Sequence, residues 1–205
     1  MLISYKYKFI FIKTSKTAGT SIEVDLAKLI AKDDVVTPIY PHVDGHQARN
    51  YQRGFLRKDF YNHMPALKVK RILGQKSYDS FFKFCVEREP VDKTISHYFM
   101  WKSRNPKADG SKYSWEEYIE RGYFPVDSIS YTDAKNNLLV DNIIKYEALS
   151  EELPKICQRL GFEFPQVLTQ AKKGGRKQVD VTPAQRGIIY DAFAPTLKHT
   201  PFYTP

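Results

Sequence analysis

The chain has 205 residues, which suits one domain with a full core. Hydrophobic residues make up 42% of it, which excludes a disordered chain. No apolar run approaches the ~20 residues a membrane-spanning helix needs. Lys and Arg number 32 against 23 Asp and Glu, a formal net charge of +9. That balance suits an anionic partner as readily as it suits a solvated lysine-rich surface. Cys85 and Cys157 lie in apolar contexts and read as buried thiols of a reducing compartment. No Cys/His cluster has metal-ligand spacing.

In chain order, residues 6–13 read as a first strand, buried at Phe9, Ile10, Phe11 and Ile12. Its lysine-interrupted approach argues against a signal peptide. Residues 20–31 carry Ile22, Leu26, Leu29 and Ile30 at helical spacing. Residues 33–62 are mixed, polar and aromatic, and read as loop. Pro65 opens a helix that Gly74 ends. The run "FFKFCVE", residues 81–87, predicts a second buried strand. Pro90 starts a helix with Val91, Ile95, Tyr98 and Phe99 inward. Ser114 and Glu117 make a capping-box pattern. Residues 139–147 predict a third strand, and Ser150 a helix to about Leu160, stopped by Gly161. Thr182, Pro183 and Gln185 start the last helix. Strands alternating with helices predict an α/β fold, a mostly parallel central sheet with helices on both faces. Such sheets bind ligands at the C-terminal ends of their strands.

The loop between the first strand and helix reads "KTSKTAGTS", residues 13–21. A helix N-terminus offers unpaired N–H groups and partial positive charge. Gly19 permits close approach, Thr17, Thr20 and Ser21 add hydroxyls, and Lys16 adds a charge. The pattern reads as an oxyanion cradle; an ordinary helix cap at Thr20 or Ser21 is the simpler alternative. It is not a Walker A loop, because G-x-x-x-x-G-K-[ST] is absent.

After an apolar strand, "KTAGTSIE" resembles the 5′-phosphosulfate loop of sulfotransferases that use 3′-phosphoadenosine-5′-phosphosulfate (PAPS), most closely the carbohydrate-type branch. Ser15 stands where that branch has proline. A second segment, "FFKFCVEREPVDKTISHYF", residues 81–99, resembles the family's 3′-phosphate segment, with Arg88, Pro90 and Ser96 in register. An arginine fork and a serine two helical turns on suit a phosphate; an ion pair of Arg88 with Glu87 or a nearby acid is the alternative. Glu89 replaces the family's asparagine and Lys93 its second arginine. Glu87 and Glu89 flank Arg88, and alternation along an extended chain would point them away from its side.

The resemblance implies a single sulfotransferase domain over residues 1–205 with a P-loop-NTPase-like three-layer sandwich. It implies PAPS as sulfuryl donor, adenosine 3′,5′-bisphosphate (PAP) as product, and no metal. Residues 16–21, namely Lys16, Thr17, Ala18, Gly19, Thr20 and Ser21, would hold the donor, with Arg88 and Ser96. Lys16 would also neutralise the leaving oxygen. The segment "YNHMPALKVKRILG" maps His63 onto the family's base, with His46 as rival and Asp44 able to orient either ring. The basic run "AKKGGRK", residues 171–177, resembles a loop that closes over the nucleotide, through Lys173 and Arg176. Fourteen tyrosines and 13 phenylalanines exceed what a core of this size needs, so some can line an acceptor cleft.

The expected acceptor is a hydroxyl of a carbohydrate or other small molecule, bound by residues 33–62 and 102–135. No nucleic-acid motif is visible, no membrane partner is expected, and the expected location is cytoplasmic. Two other functions fit parts of the sequence: a nucleotide-dependent phosphotransferase of related fold, and a non-enzymatic polyanion-binding module.

Overall fold

The computed structural model describes residues 1–54, 59–165 and 179–204. Five strands and nine helices occur among them. In chain order they are β1 (Leu2–Ser4), β2 (Phe9–Phe11), α1 (Gly19–Leu29), β3 (Val35–Val36), α2 (Ala66–Leu73), α3 (Gln75–Asp79), β4 (Phe82–Glu87), α4 (Pro90–Arg104), α5 (Trp115–Arg121), α6 (Ser128–Tyr131), β5 (Asn142–Lys145), α7 (Leu149–Arg159), α8 (Pro183–Ala192) and α9 (Ala194–Leu197). Two compact units result. The first takes Met1–Glu87 and residues 127–165, the second Arg88–Val126 and residues 179–204.

The first unit holds a five-stranded sheet of order β3-β1-β2-β4-β5. β2, β4 and β5 run parallel, whereas β1 is antiparallel to both β2 and β3. The sheet is therefore mixed, which corrects the mostly parallel sheet expected from the sequence. The cause is local. Where one strand is predicted over 6–13, the chain folds as a hairpin, with Lys8 in the left-handed region at φ 54°. Asp34 holds the turn: its carboxylate accepts from Ser4 Oγ and from the Tyr5 N–H, both at 2.7 Å. Ser4 Oγ in turn accepts from the Tyr7 N–H at 3.1 Å.

Alternation along β2 divides the core. Phe9 and Phe11 pack with Ile22 and Leu26 of α1 and with Leu153 and Ile156 of α7. Ile10 and Ile12 pack with Ala66 and Val69 of α2 and with Tyr131 of α6. Each Phe, Ile, Leu or Val among them, fully buried, contributes about 1.5–3 kcal/mol. Cys157 and Cys85 fall in these two separate clusters, and both are reduced and buried. Pro65 and Gly74 bound α2 as predicted, Gly74 with φ 83°. The third strand is shorter than predicted. A 3₁₀ turn over Tyr146–Ala148 follows it, and α7 begins at Leu149, one residue before its expected cap.

The second unit packs Val91 and Tyr98 of α4 against Trp115 and Tyr118 of α5 and Ile189, Tyr190 and Phe193 from α8 and its end. The capping box predicted at Ser114 and Glu117 forms, and Thr182 and Gln185 make a second at the predicted start of the last helix. Among the described residues, no helix is long and apolar enough to cross a membrane.

One buried ion pair ties the first strand to the first helix. Lys13, just past β2, is 2% exposed, and Glu23 on α1 is fully buried. Lys13 Nζ donates to Glu23 Oε2 at 2.8 Å. The other carboxylate oxygen takes the Thr37 hydroxyl at 3.0 Å and pairs with the Met1 amine at 2.9 Å. Gly19 makes room for this pair, since a Cβ there would stand 2.7 Å from Lys13 Cγ. Burial pushes the Glu23 carboxyl up, but the Met1 amine and the Lys13 ammonium outweigh it and hold the group below its ordinary 4.5.

Glu23→Gln should therefore cost about 3–5 kcal/mol, because it strands a buried lysine without its carboxylate. A carboxyl with a lowered folded-state pKa contributes stability that is full above its unfolded value and lost as pH falls through the folded one. Urea titrations should show wild type and mutant far apart at pH 7 and converging below pH 4.5. A gap that is constant with pH would show that Glu23 is held neutral.

Candidate anion-binding loop and its histidine

The parallel run of β2, β4 and β5 brings their C-terminal ends to one edge of the sheet, where residues 13–18 lead into α1. Lys16 and Ala18 both take left-handed backbone, at φ 61° and φ 57°. That conformation costs roughly 1–2 kcal/mol for a residue with a Cβ. It persists where surrounding contacts over-determine it. Here Thr14 and Thr17 supply those contacts. Thr14 Oγ1 donates to the Val86 carbonyl of β4, and Thr17 Oγ1 donates to the Thr14 carbonyl at 3.2 Å. The two hydroxyl oxygens lie 2.9 Å apart, and both residues are buried. The Thr17 hydroxyl, expected among the donor-holding groups, is thus engaged inside the loop.

The start of α1 differs from an ordinary cap. Ala18 occupies the N-cap position, no side chain caps the helix, and no acid lies in its first turn. The first N–H groups of any helix have no partner within it. Lys16, Thr20 and Ser21 remain half-exposed around this terminus, while Gly19 is buried over Lys13. A helix N-terminus of this kind, with a lysine and hydroxyls beside it, is a place where an anion can be received.

His63 is joined to this loop. Its Nδ1 lies 3.0 Å from the Lys13 carbonyl. A carbonyl only accepts, so Nδ1 carries the hydrogen and the neutral ring presents Nε2 as its proton acceptor. Burial of the ring and the Lys13 ammonium lower its pKa to about 4, against the pull of the Asp127 carboxylate. The residue as a whole remains exposed to solvent. Water therefore offsets part of that desolvation. The imidazole is neutral at neutral pH.

His46 is placed differently. It is 6% exposed, its Nε2 lies 2.8 Å from the Thr37 carbonyl, and its Nδ1 is buried with no hydrogen-bond partner among the described residues. Burial lowers its pKa as well. It belongs to the network behind Glu23. Neither ring is bonded to Asp44, which is exposed.

The acid that does reach the loop is Asp127. Its carboxylate accepts from the Ser15 N–H at 2.6 Å and from Ser15 Oγ at 3.3 Å. Sequence reasoning missed it, because an aspartate before a short helix reads as a local cap. It also missed Lys13 and Glu23. Their only trace is a lysine at the end of an apolar strand and an acid between Ile22 and Val24 on a buried helix.

In the second unit, Arg88 is 7% exposed and its Nε pairs with Asp92 one helical turn on. Glu89 turns aside from it. Its carboxylate caps α4 by accepting from the Asp92 N–H at 2.6 Å, and it accepts from the Tyr190 hydroxyl at 2.9 Å. Lys93 is fully buried, with Nζ 5.8 Å from the Phe193 ring centroid. Ser96 lies half-buried on α4. Lys173 and Arg176 fall outside the described residues.

A cavity of about 610 Å³ opens elsewhere, between the end of α7 and residues 161–165. Phe162 packs against Tyr7 of the first hairpin turn, with ring centroids 4.4 Å apart, so that cavity lies toward the opposite end of the strands from the loop, and no loop residue lines it.

No protein-family model matches the chain. It is 30% identical over 102 residues to an uncharacterized protein of Archaeoglobus fulgidus. The match covers 48% of this chain and 82% of that relative. The chain belongs to the same family as that archaeal protein.

Proposed function

We propose that the protein is a PAPS-dependent sulfotransferase acting on a hydroxyl of a carbohydrate or other small acceptor. One observation carries the reading. Lys13 both opens the uncapped loop and, through its carbonyl, holds His63 with Nε2 as the ring's proton acceptor. An anion seat and a proton acceptor thus hang on one residue. In this reading β2, β4 and β5 form the nucleotide-binding half of a P-loop-NTPase-like three-layer fold, and β1 and β3 extend it. The two reduced, buried cysteines fit a cytoplasmic setting.

The chemistry follows from the donor set. The loop N–H groups, Thr20, Ser21 and Lys16 bind the phosphosulfate. His63 Nε2 takes the proton of the acceptor hydroxyl as its oxygen attacks sulfur. The bond from sulfur to the bridging phosphate oxygen breaks, and PAP leaves with that charge neutralised by Lys16. Arg88 and Ser96 enter on the family resemblance, as readers of the 3′-phosphate; the Asp92 pairing would hold the guanidinium in one orientation.

The decisive experiment offers the protein PAPS with a panel of glycans and small alcohols and looks for sulfated product by mass spectrometry. Beside it, PAP should raise the melting temperature equally with and without EDTA. A shift that disappears on chelation would favour the phosphotransferase.

His63→Ala should lower turnover about 10²–10⁴-fold with PAP affinity retained, the usual scale of general-base catalysis. Lys16→Ala should damage both. The lowered imidazole pKa places the rising limb of the wild-type pH–rate profile below the ordinary 6.5, since the base is already neutral there. A limb near 6.5 that survives in His63→Ala would assign the base elsewhere.

Arg88→Ala should weaken PAP by roughly 1.5–3 kcal/mol, the range for hydrogen bonds to charged groups. Adenosine 5′-phosphosulfate, which lacks the 3′-phosphate, should bind both forms alike. Equal loss of both ligands would make Arg88 a structural residue.

A further inference from the structure

The first hairpin turn carries a second set of cations, away from residues 13–21. It reads Tyr5-Lys6-Tyr7-Lys8. Lys6 and Lys8 are exposed, and neither makes an ion pair among the described residues. Each lies on a ring instead, Lys6 Nζ 4.8 Å from the Tyr7 centroid and Lys8 Nζ 5.3 Å from that of Phe81. Arg159, exposed on α7, lies 5.8 Å from the Phe82 centroid, and the Phe82 N–H donates to the Lys8 carbonyl at 2.8 Å. Tyr7 packs against Phe162, which lines the cavity of about 610 Å³ together with Lys155 and Gln158 of α7. Contact by contact, one surface runs from the hairpin turn past the start of β4 to α7 and the cavity. The acid at the turn, Asp34, is buried and taken up by donors from Ser4, Tyr5 and Ala31. Glu163 stands on the cavity wall. Residues 55–58 and 166–178, outside the described residues, contain no acid that could pair with these cations.

We infer that this surface docks an acidic polysaccharide, with its sulfate or carboxylate groups on Lys6, Lys8, Lys155 and Arg159 and a sugar unit in the cavity. The inference uses none of residues 13–21 and is independent of the sulfotransferase reading. Unpaired cations select an anionic partner. A lysine already laid on a ring has less rotamer freedom to lose when that partner arrives. The rings also decide which polyanion fits. Bases of a nucleic acid stack on free ring faces. Here Lys6 and Phe162 both lie against Tyr7, Phe81 is buried beneath Lys8 and Tyr5, and Arg159 covers Phe82. A bilayer is entered by exposed apolar side chains. The turn offers a single exposed ring, Tyr5 at 41%. What remains is unpaired charge beside a concavity within the roughly 300–1,000 Å³ range of small-ligand sites. Its walls set the Phe162 ring near the Gln158 amide. A sugar offers C–H groups to the ring and hydroxyls to the amide, and its acidic substituents meet the cations.

The probe is a size-defined heparin oligosaccharide, a sulfated chain that also bears carboxylates, titrated into the full chain by calorimetry at physiological salt. Two variants remove the same charge. Lys6→Gln with Lys8→Asn alters the turn, asparagine suiting the left-handed backbone at residue 8. Lys112→Gln with Lys198→Gln removes two exposed lysines of the second unit. The turn variant should weaken heparin about tenfold and the control less than about twofold, because an attraction of this kind is local to the charges that make it. The turn variant should also flatten the dependence of affinity on salt, since fewer counterions are released. Equal losses in the two variants would reduce the effect to net charge and overturn the inference, as would no binding by wild type. If the turn variant fails to fold, Lys155→Gln with Arg159→Gln on the surface of α7 takes its place; affinity retained there overturns the inference too. A DNA duplex, or vesicles of phosphatidylglycerol, bound more tightly than heparin and weakened by the same substitutions would give the surface to a nucleic acid or a membrane instead. No arm of the experiment contains PAPS, so its outcome leaves the sulfotransferase reading to its own test.

Discussion

The pairing of Lys13 with Glu23 is the constraint on which the rest of the first unit depends. A lysine and a glutamate this deeply buried are tolerable only together, and only with further donors on the carboxylate. That requirement fixes where α1 starts relative to β2. It explains why residue 19 has no side chain, since the lysine stem passes directly beneath it. It also orients the Lys13 carbonyl, to which His63 is bonded. A stability element and the candidate chemistry are thus the same few atoms.

The loop above this pair carries two left-handed residues that have side chains. Such strain is usually relieved by glycine. Its retention at Lys16 and Ala18 is matched by two buried threonines that fasten the loop to itself and to β4. The sequence therefore divides its hydroxyls by task. Thr14 and Thr17 shape the loop from within, Ser15 is tied to Asp127, and Thr20 and Ser21 stay half-exposed near the helix terminus. A count of hydroxyls cannot make that division, because it depends on which way each residue faces once the backbone has left the helical and extended regions.

Much of the scaffold was legible before any coordinates. The apolar runs at 9–12 and 81–87, the Pro65 and Gly74 boundaries, the capping box at Ser114 and the helix start at Thr182 are local signals, and local signals survive folding. The hairpin was not legible, because it depends on Asp34, far along the chain, satisfying the turn at Tyr5. Nor was the site acid: Asp127 meets Ser15 across 112 residues. The histidine could be selected only by its resemblance to a family segment. Its tautomer depends on a single carbonyl that no sequence pattern displays. Arg88 was read as a phosphate fork, and the structure shows what the fork holds within its own unit, the Asp92 carboxylate.

The interleaving of the two units has a consequence for synthesis. Residues 88–126 separate β4 from its parallel neighbour β5, and the second unit in turn awaits α8 near the far end of the chain. A nascent chain that has emerged as far as residue 126 therefore holds β4 without a partner on one side, and that strand carries the buried run Phe84, Cys85 and Val86. Such an edge is a template for pairing with other chains. The protein should be most vulnerable to aggregation during translation of its middle third, before the strand that completes the sheet has left the ribosome.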